Sequence, residues 1–117
     1  PDLNIMFIGA FTESALLAHA ISARLLHAGE NAQFEHLMLE PGQVQKRHAA
    51  YTTVHLYVLE GEGTLDAGDE CIQLSADMLI VMPPETMHRL TNTGAARLRV
   101  LNIKAPPPSQ GPRILKD

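Results

Sequence analysis

The sequence predicts an all-β domain, a barrel or sandwich of short antiparallel strands, and three observations carry that expectation. Short apolar runs rich in strand-forming residues recur at 34–39, 52–59, 78–82 and 98–103. Between them stand Pro41-Gly42, Gly61-Glu62-Gly63, Gly68-Asp69, Pro83-Pro84 and Asn92-Thr93-Gly94, residues that supply a fixed or positive φ where a chain reverses. Finally, Pro106, Pro107 and Pro108 lack the N–H a ladder needs, so the barrel is expected to end near Lys104.

Along the chain, the N-terminal part is the ambiguous one. From Thr12 to Ala28 local signals favour a helix: Leu17, Ile21 and Leu25 recur every four residues, and Gly29 stands where a C-terminal cap belongs. Residues 21–27 read equally well as a strand leading through Gly29-Glu30-Asn31 into a second strand at 32–40, because periodicity does not assign so short a run. The expected organisation is an N-terminal segment over 1–30 packing on the barrel, a barrel core over 31–104, and an extended Pro-rich tail over 105–117. A chain of 117 residues can bury such a core as one domain without disulfides.

Composition excludes several function classes. A formal charge of −4 and scattered basic residues give no footprint for nucleic acid. No apolar run approaches the length of a membrane span, so no membrane association is expected. Cys71 is the single cysteine, which rules out an intrachain disulfide and fits a reducing, cytoplasmic setting.

Residues 42–92 resemble the paired motifs of the cupin superfamily. In the first motif Gly42, His48 and Gly61 fall at the family spacing, and 58–63 read as its closing phrase. In the second, Pro83, His88 and Asn92 do so, with Ala76-Asp77 where Gly-Asp is usual. The resemblance implies a cupin-type double-stranded β-helix, a jelly-roll barrel of about six to eight strands around an interior pocket. It also implies a metal held by two histidines, a glutamate and a third histidine, and here the departures begin. The family's second histidine falls on Ala50 and its glutamate on Val54, neither of which can donate to a metal. His55 adjoins the lost glutamate position, but side chains alternate along a strand, so His55 faces away if Val54 faces inward. Glu85 replaces the glycine of the family's Pro-x-Gly turn, which suggests a changed turn.

The resemblance thus implies a pocket lined by His48, Ala50, Tyr51, Val54, Met82 and His88, with His48 and His88 as the remaining metal ligands. Two functions stay open. One is binding of a small molecule in the barrel with weak or no metal dependence, in a pocket made more apolar by Ala50 and Val54. The other is a divalent-metal enzyme of dioxygenase, isomerase or lyase type, holding Zn, Fe, Mn or Ni weakly through His48 and His88. A homodimer is expected, with the apolar stretch 5–11 covering a sheet edge. His19, His27 and His36 have no spacing that argues for chemistry.

Overall fold

The computed structural model describes residues 15–18, 21–109, 111 and 113–114. Among them lie eleven strands: β1 (Ala15–Ala18), β2 (Ser22–Ala28), β3 (Gln33–Leu39), β4 (His48–Ala49), β5 (Val54–Glu60), β6 (Gly63–Ala67), β7 (Glu70–Leu74), β8 (Leu79–Met82), β9 (His88–Thr91), β10 (Leu98–Lys104) and β11 (Arg113–Ile114). They form a six-stranded sheet in the order β1-β2-β3-β10-β5-β8 and a five-stranded sheet in the order β11-β4-β9-β6-β7, with every pairing antiparallel. There are thus more strands than the six to eight expected. The additions include the β6–β7 hairpin, turned by Gly68-Asp69, and the two-residue β4 and β11.

Period-2 alternation places the core between the sheets. Along β10, Leu98, Val100, Asn102 and Lys104 are buried while the residues between them are half-buried, and β5 repeats the pattern with Val54, Leu56 and Val58. From the other sheet Leu65, Leu74 and Leu90 meet them. Each such leucine, withdrawn almost wholly from water, stabilises the fold by roughly 1.5–3 kcal/mol.

The helix expected over 12–28 is not found where the chain is described. Ala15–Ala18 and Ser22–Ala28 are strands, and β2 pairs along β3. An isolated helix of this length is only marginally stable in water, whereas β2 satisfies the N–H and C=O groups that β3 would otherwise leave unpaired. The sheet therefore begins before residue 31. The stretch 5–11 expected to cover a sheet edge lies outside the described residues.

Two turns bear on the site. Gly61 has φ +93°, and a Cβ there would collide with the carbonyl oxygen of Arg97 and with Cα of Leu98; only glycine fits. At 83–86 the turn that Glu85 was expected to alter keeps a left-handed residue, with Glu85 itself at φ +63°. Its N–H donates to the carbonyl of Ala50 at 2.8 Å, tying this turn to the segment between β4 and β5.

The tail also departs from expectation. After β10, Ala105 N–H donates to the Thr53 carbonyl at 3.3 Å, and the Thr52 hydroxyl donates to the Pro106 carbonyl at 2.5 Å. Arg113–Ile114 then pairs with His48–Ala49 as β11, so the tail returns to the barrel instead of running free. Among the described residues no helix is long and apolar enough to cross a membrane.

Candidate functional site

His48 opens β4 and His88 opens β9, and the two are direct partners across that ladder. Their ring centroids lie 4.3 Å apart, tilted by 51°. His88 is 2% exposed. Each ring is anchored in the same way: Nδ1 of His48 lies 2.9 Å from the Lys46 carbonyl, and Nδ1 of His88 lies 2.8 Å from the Thr86 carbonyl. A carbonyl only accepts, so each Nδ1 carries the hydrogen and each Nε2 carries the lone pair.

Burial pushes His88 down to about 4, helped by the neighbouring His48. Burial likewise holds His48 below the ordinary histidine range, opposed by its hydrogen bond to the Lys46 carbonyl. Both rings are neutral at pH 7.

Ala50 and Val54 are buried and belong to the core, 3% and 2% exposed. Met82 is the cross-strand partner of Val54 and is equally buried. Tyr51, on the bend between β4 and β5, is exposed, unlike the buried Ala50, Val54 and Met82. His55 faces away from the interior, its Nδ1 donating to the Ile103 carbonyl at 3.2 Å. Tyr57, also facing away, donates its hydroxyl to Asp77 at 2.9 Å.

Four residues that the motifs do not mark share the interior with the histidines. Lys104, the cross-strand partner of Val54, turns inward and meets Glu35 of β3, Nζ to Oε2 at 3.2 Å, with both side chains 9% exposed. The Gln33 amide donates to the same Oε2 at 2.6 Å. Asn102, the cross-strand partner of Glu35 on the inner face of β10, is 3% exposed, and among the described residues its Oδ1 has no hydrogen-bond partner. The charge of Lys104 acts on both histidines and that of Glu35 on His48, so these groups form one polar end of the barrel. Alternation supplied the missed signal: continued inward from Leu37 and Leu39, or from Leu98 and Val100, it reaches Glu35 and, through Asn102, Lys104.

This donor set does not fit the family's metal. Among the described residues no group of three or more His, Cys, Asp or Glu is placed to hold one. Of the family's four ligand positions two are alkyl, and an ammonium stands opposite Val54, where the family has its carboxylate.

Two other features lie elsewhere. A cleft of about 610 Å³ opens at the far end of the barrel, among the turns carrying Gly61, Ser75 and Gly94, with Glu62 as its one ionisable side chain. On the outer face of the six-stranded sheet, Arg99 donates to Nε2 of the buried His36 at 3.0 Å and pairs with Glu60 at 3.4 Å.

Fold and site together define a small double-stranded β-helix with a buried polar cluster at one end and a histidine pair at its centre. The chain belongs to the cupin family: the model described as "Cupin domain" matches residues 35–104. It is similar to an uncharacterised protein of Methanocaldococcus jannaschii, 27% identical over 83 residues, spanning 70% of this chain and 66% of that relative, just under two thirds of its length. Among solved structures it resembles an uncharacterised conserved protein with a double-stranded β-helix domain from Klebsiella pneumoniae, with a TM-score of 0.80 and 15% identity over 97% of this chain and all of the other. It also resembles the polyketide cyclase RemF from Streptomyces resistomycificus, with a TM-score of 0.77 and 16% identity over 97% of this chain and 87% of the other. At these identities the two structures share the fold alone.

Proposed function

We propose that this cupin binds a small molecule in its barrel, at the His48–His88 pair, without a resident metal ion. The observation that carries this reading is the replacement of two metal-donor positions by buried Ala50 and Val54, with the Lys104 ammonium facing the same interior. A divalent cation there would have two imidazoles to hold it, while the one carboxylate described nearby, Glu35, is already paired with Lys104. The divalent-metal enzyme loses support on the same ground. What remains suits an organic ligand: an apolar wall of Ala50, Val54 and Met82 for its hydrocarbon, and His48, His88 and Asn102 for its polar groups. That RemF is a polyketide cyclase is compatible with an organic ligand in such a barrel but does not select one.

Elemental analysis of the purified protein, combined with native mass spectrometry for any small molecule carried through purification, tests the reading. The expected result is metal well below one equivalent after dialysis against a chelator, with any bound organic molecule lost in His88→Phe. One equivalent of metal surviving the chelator would refute it.

A further inference from the structure

We propose that two copies of this chain pair through the free edge of β8, antiparallel and about a two-fold axis at Ile80, joining their six-stranded sheets into one. The pairing concerns the outside of the barrel and does not depend on what the barrel binds.

β8 ends the six-stranded sheet and has a neighbour on one side only, β5. The direction of its backbone groups follows from β5. Val58 N–H donates to the Met78 carbonyl at 2.9 Å, and the Val58 carbonyl accepts from Asp77 N–H at 2.8 Å, so both polar groups of Val58 point toward the β8 side. These groups alternate sides along a strand, so those of Leu56 and Val54 point there too and meet Ile80 and Met82, their partners in the register. The N–H and C=O groups of Leu79 and Val81 therefore point the other way, into the free edge. Among the described residues no other segment pairs with them.

The side chains of Leu79 and Val81 lie on the outer face and, at 59% and 53%, are the most exposed of the large apolar residues described. An apolar strand with an open edge is a template for another strand, and charge is the usual guard against it. β7, at the edge of the other sheet, carries Glu70 with Asp69 beside it. Residues 78–82 carry no charge at all.

A second copy of the chain is the partner that fits this edge. With the axis at Ile80, Leu79 of each copy stands opposite Val81 of the other. These are the residues whose backbone groups are free, so each crossing exchanges both N–H···O=C bonds. The side chains then form a row across the seam, Tyr57 and Leu79 of one copy followed by Val81 and His55 of the other, with no carboxylate, Lys or Arg in it. Asp77 of each copy falls opposite Pro83 of the other, which keeps the two carboxylates apart and, because proline has no N–H, ends the pairing there. Each chain has one β8 edge, so the assembly closes at two. A seam from Met78 to Met82 is small, below about 1,200 Å² in total, so the dimer is expected to be reversible, with a dissociation constant in the micromolar range.

Sedimentation equilibrium of the full chain, from low to high micromolar concentration, tests the pairing. Wild type is expected to pass from monomer to dimer. Leu79→Lys, at a position already facing solvent, leaves the core untouched and is expected to raise the dissociation constant by roughly tenfold or more, since each dimer loses two apolar contacts and gains two edge charges.

Register is read by cross-linking in a Cys71→Ser background, which removes the exposed native thiol. A mixture of Leu79→Cys and Val81→Cys chains is expected to give the mixed disulfide several-fold faster than either variant alone, because hydrogen-bonded partners bring their Cα atoms to about 5.5 Å. A monomer throughout, as when another segment of the same chain covers the edge, would overturn the proposal, and so would a dimer that Leu79→Lys leaves intact. Equal rates in the three cross-linking samples would overturn the two-fold axis at Ile80.

Discussion

The Glu35–Lys104 pair offers the most direct test of how this interior is built. Glu35→Gln keeps the size of the side chain and removes its charge, leaving the Lys104 ammonium inside the barrel with no counter-ion. Both side chains are 9% exposed and the contact is 3.2 Å, so the pair counts as buried. Breaking a buried pair by deleting one partner costs roughly 3–5 kcal/mol, whereas replacing both with apolar residues is often neutral or stabilising. Urea unfolding followed by circular dichroism should show the Glu35→Gln midpoint lowered by roughly 2 M, taking a slope of about 2 kcal/mol per molar. Glu35→Leu combined with Lys104→Met should return close to wild type. A loss below about 1 kcal/mol for Glu35→Gln, with unchanged slope, would show that water screens the pair; the electrostatic case against a metal ion would fall with it.

Other outcomes follow from the same geometry. The native pKa of His88, about 4, lies below the ordinary 6.5, so the unfolded chain binds the extra proton between those values. Stability should be full above pH 6.5 and fall by roughly 3 kcal/mol as the pH drops to 4, with His48 acting in the same direction; urea melts of wild type and His88→Phe check this, and equal slopes in the two would refute it. Restoring the family ligands with Ala50→His and Val54→Glu should yield only weak Ni²⁺ binding by calorimetry, because the new carboxylate pairs with Lys104. Adding Lys104→Met should tighten it by roughly tenfold or more, and no change would mean that Lys104 does not govern the site. Glu85→Gly should raise the melting temperature by about 2–4 °C by relieving the φ of +63°, while Gly61→Ala should lower stability by at least about 3 kcal/mol. A thermal scan checks both, and a harmless Gly61→Ala would mean that the β5–β6 turn can shift away from Arg97.

The sequence by itself determined the all-β class, the barrel and the local half of the site. Turn residues and apolar runs are local signals, and the motif spacing sets His48, Ala50 and Val54 within one short segment and His88 within another. A period of two then places His55 on the opposite face from Val54 without reference to any neighbour. Tertiary structure alone decided the rest. Whether residues 22–28 become helix or strand depends on the free edge of β3, a partner no local window contains. Glu35 and Lys104 stand 69 residues apart, and each looks unremarkable on its own strand. They become a buried pair because β3 and β10 are neighbours in the sheet, and the barrel closes their inner faces around His48 and His88. Desolvation does the same for charge. An imidazole and an ammonium are ordinary ions in water, but inside the barrel the imidazoles are held neutral and the ammonium must have its carboxylate, a condition set by packing and written in no single segment of the chain.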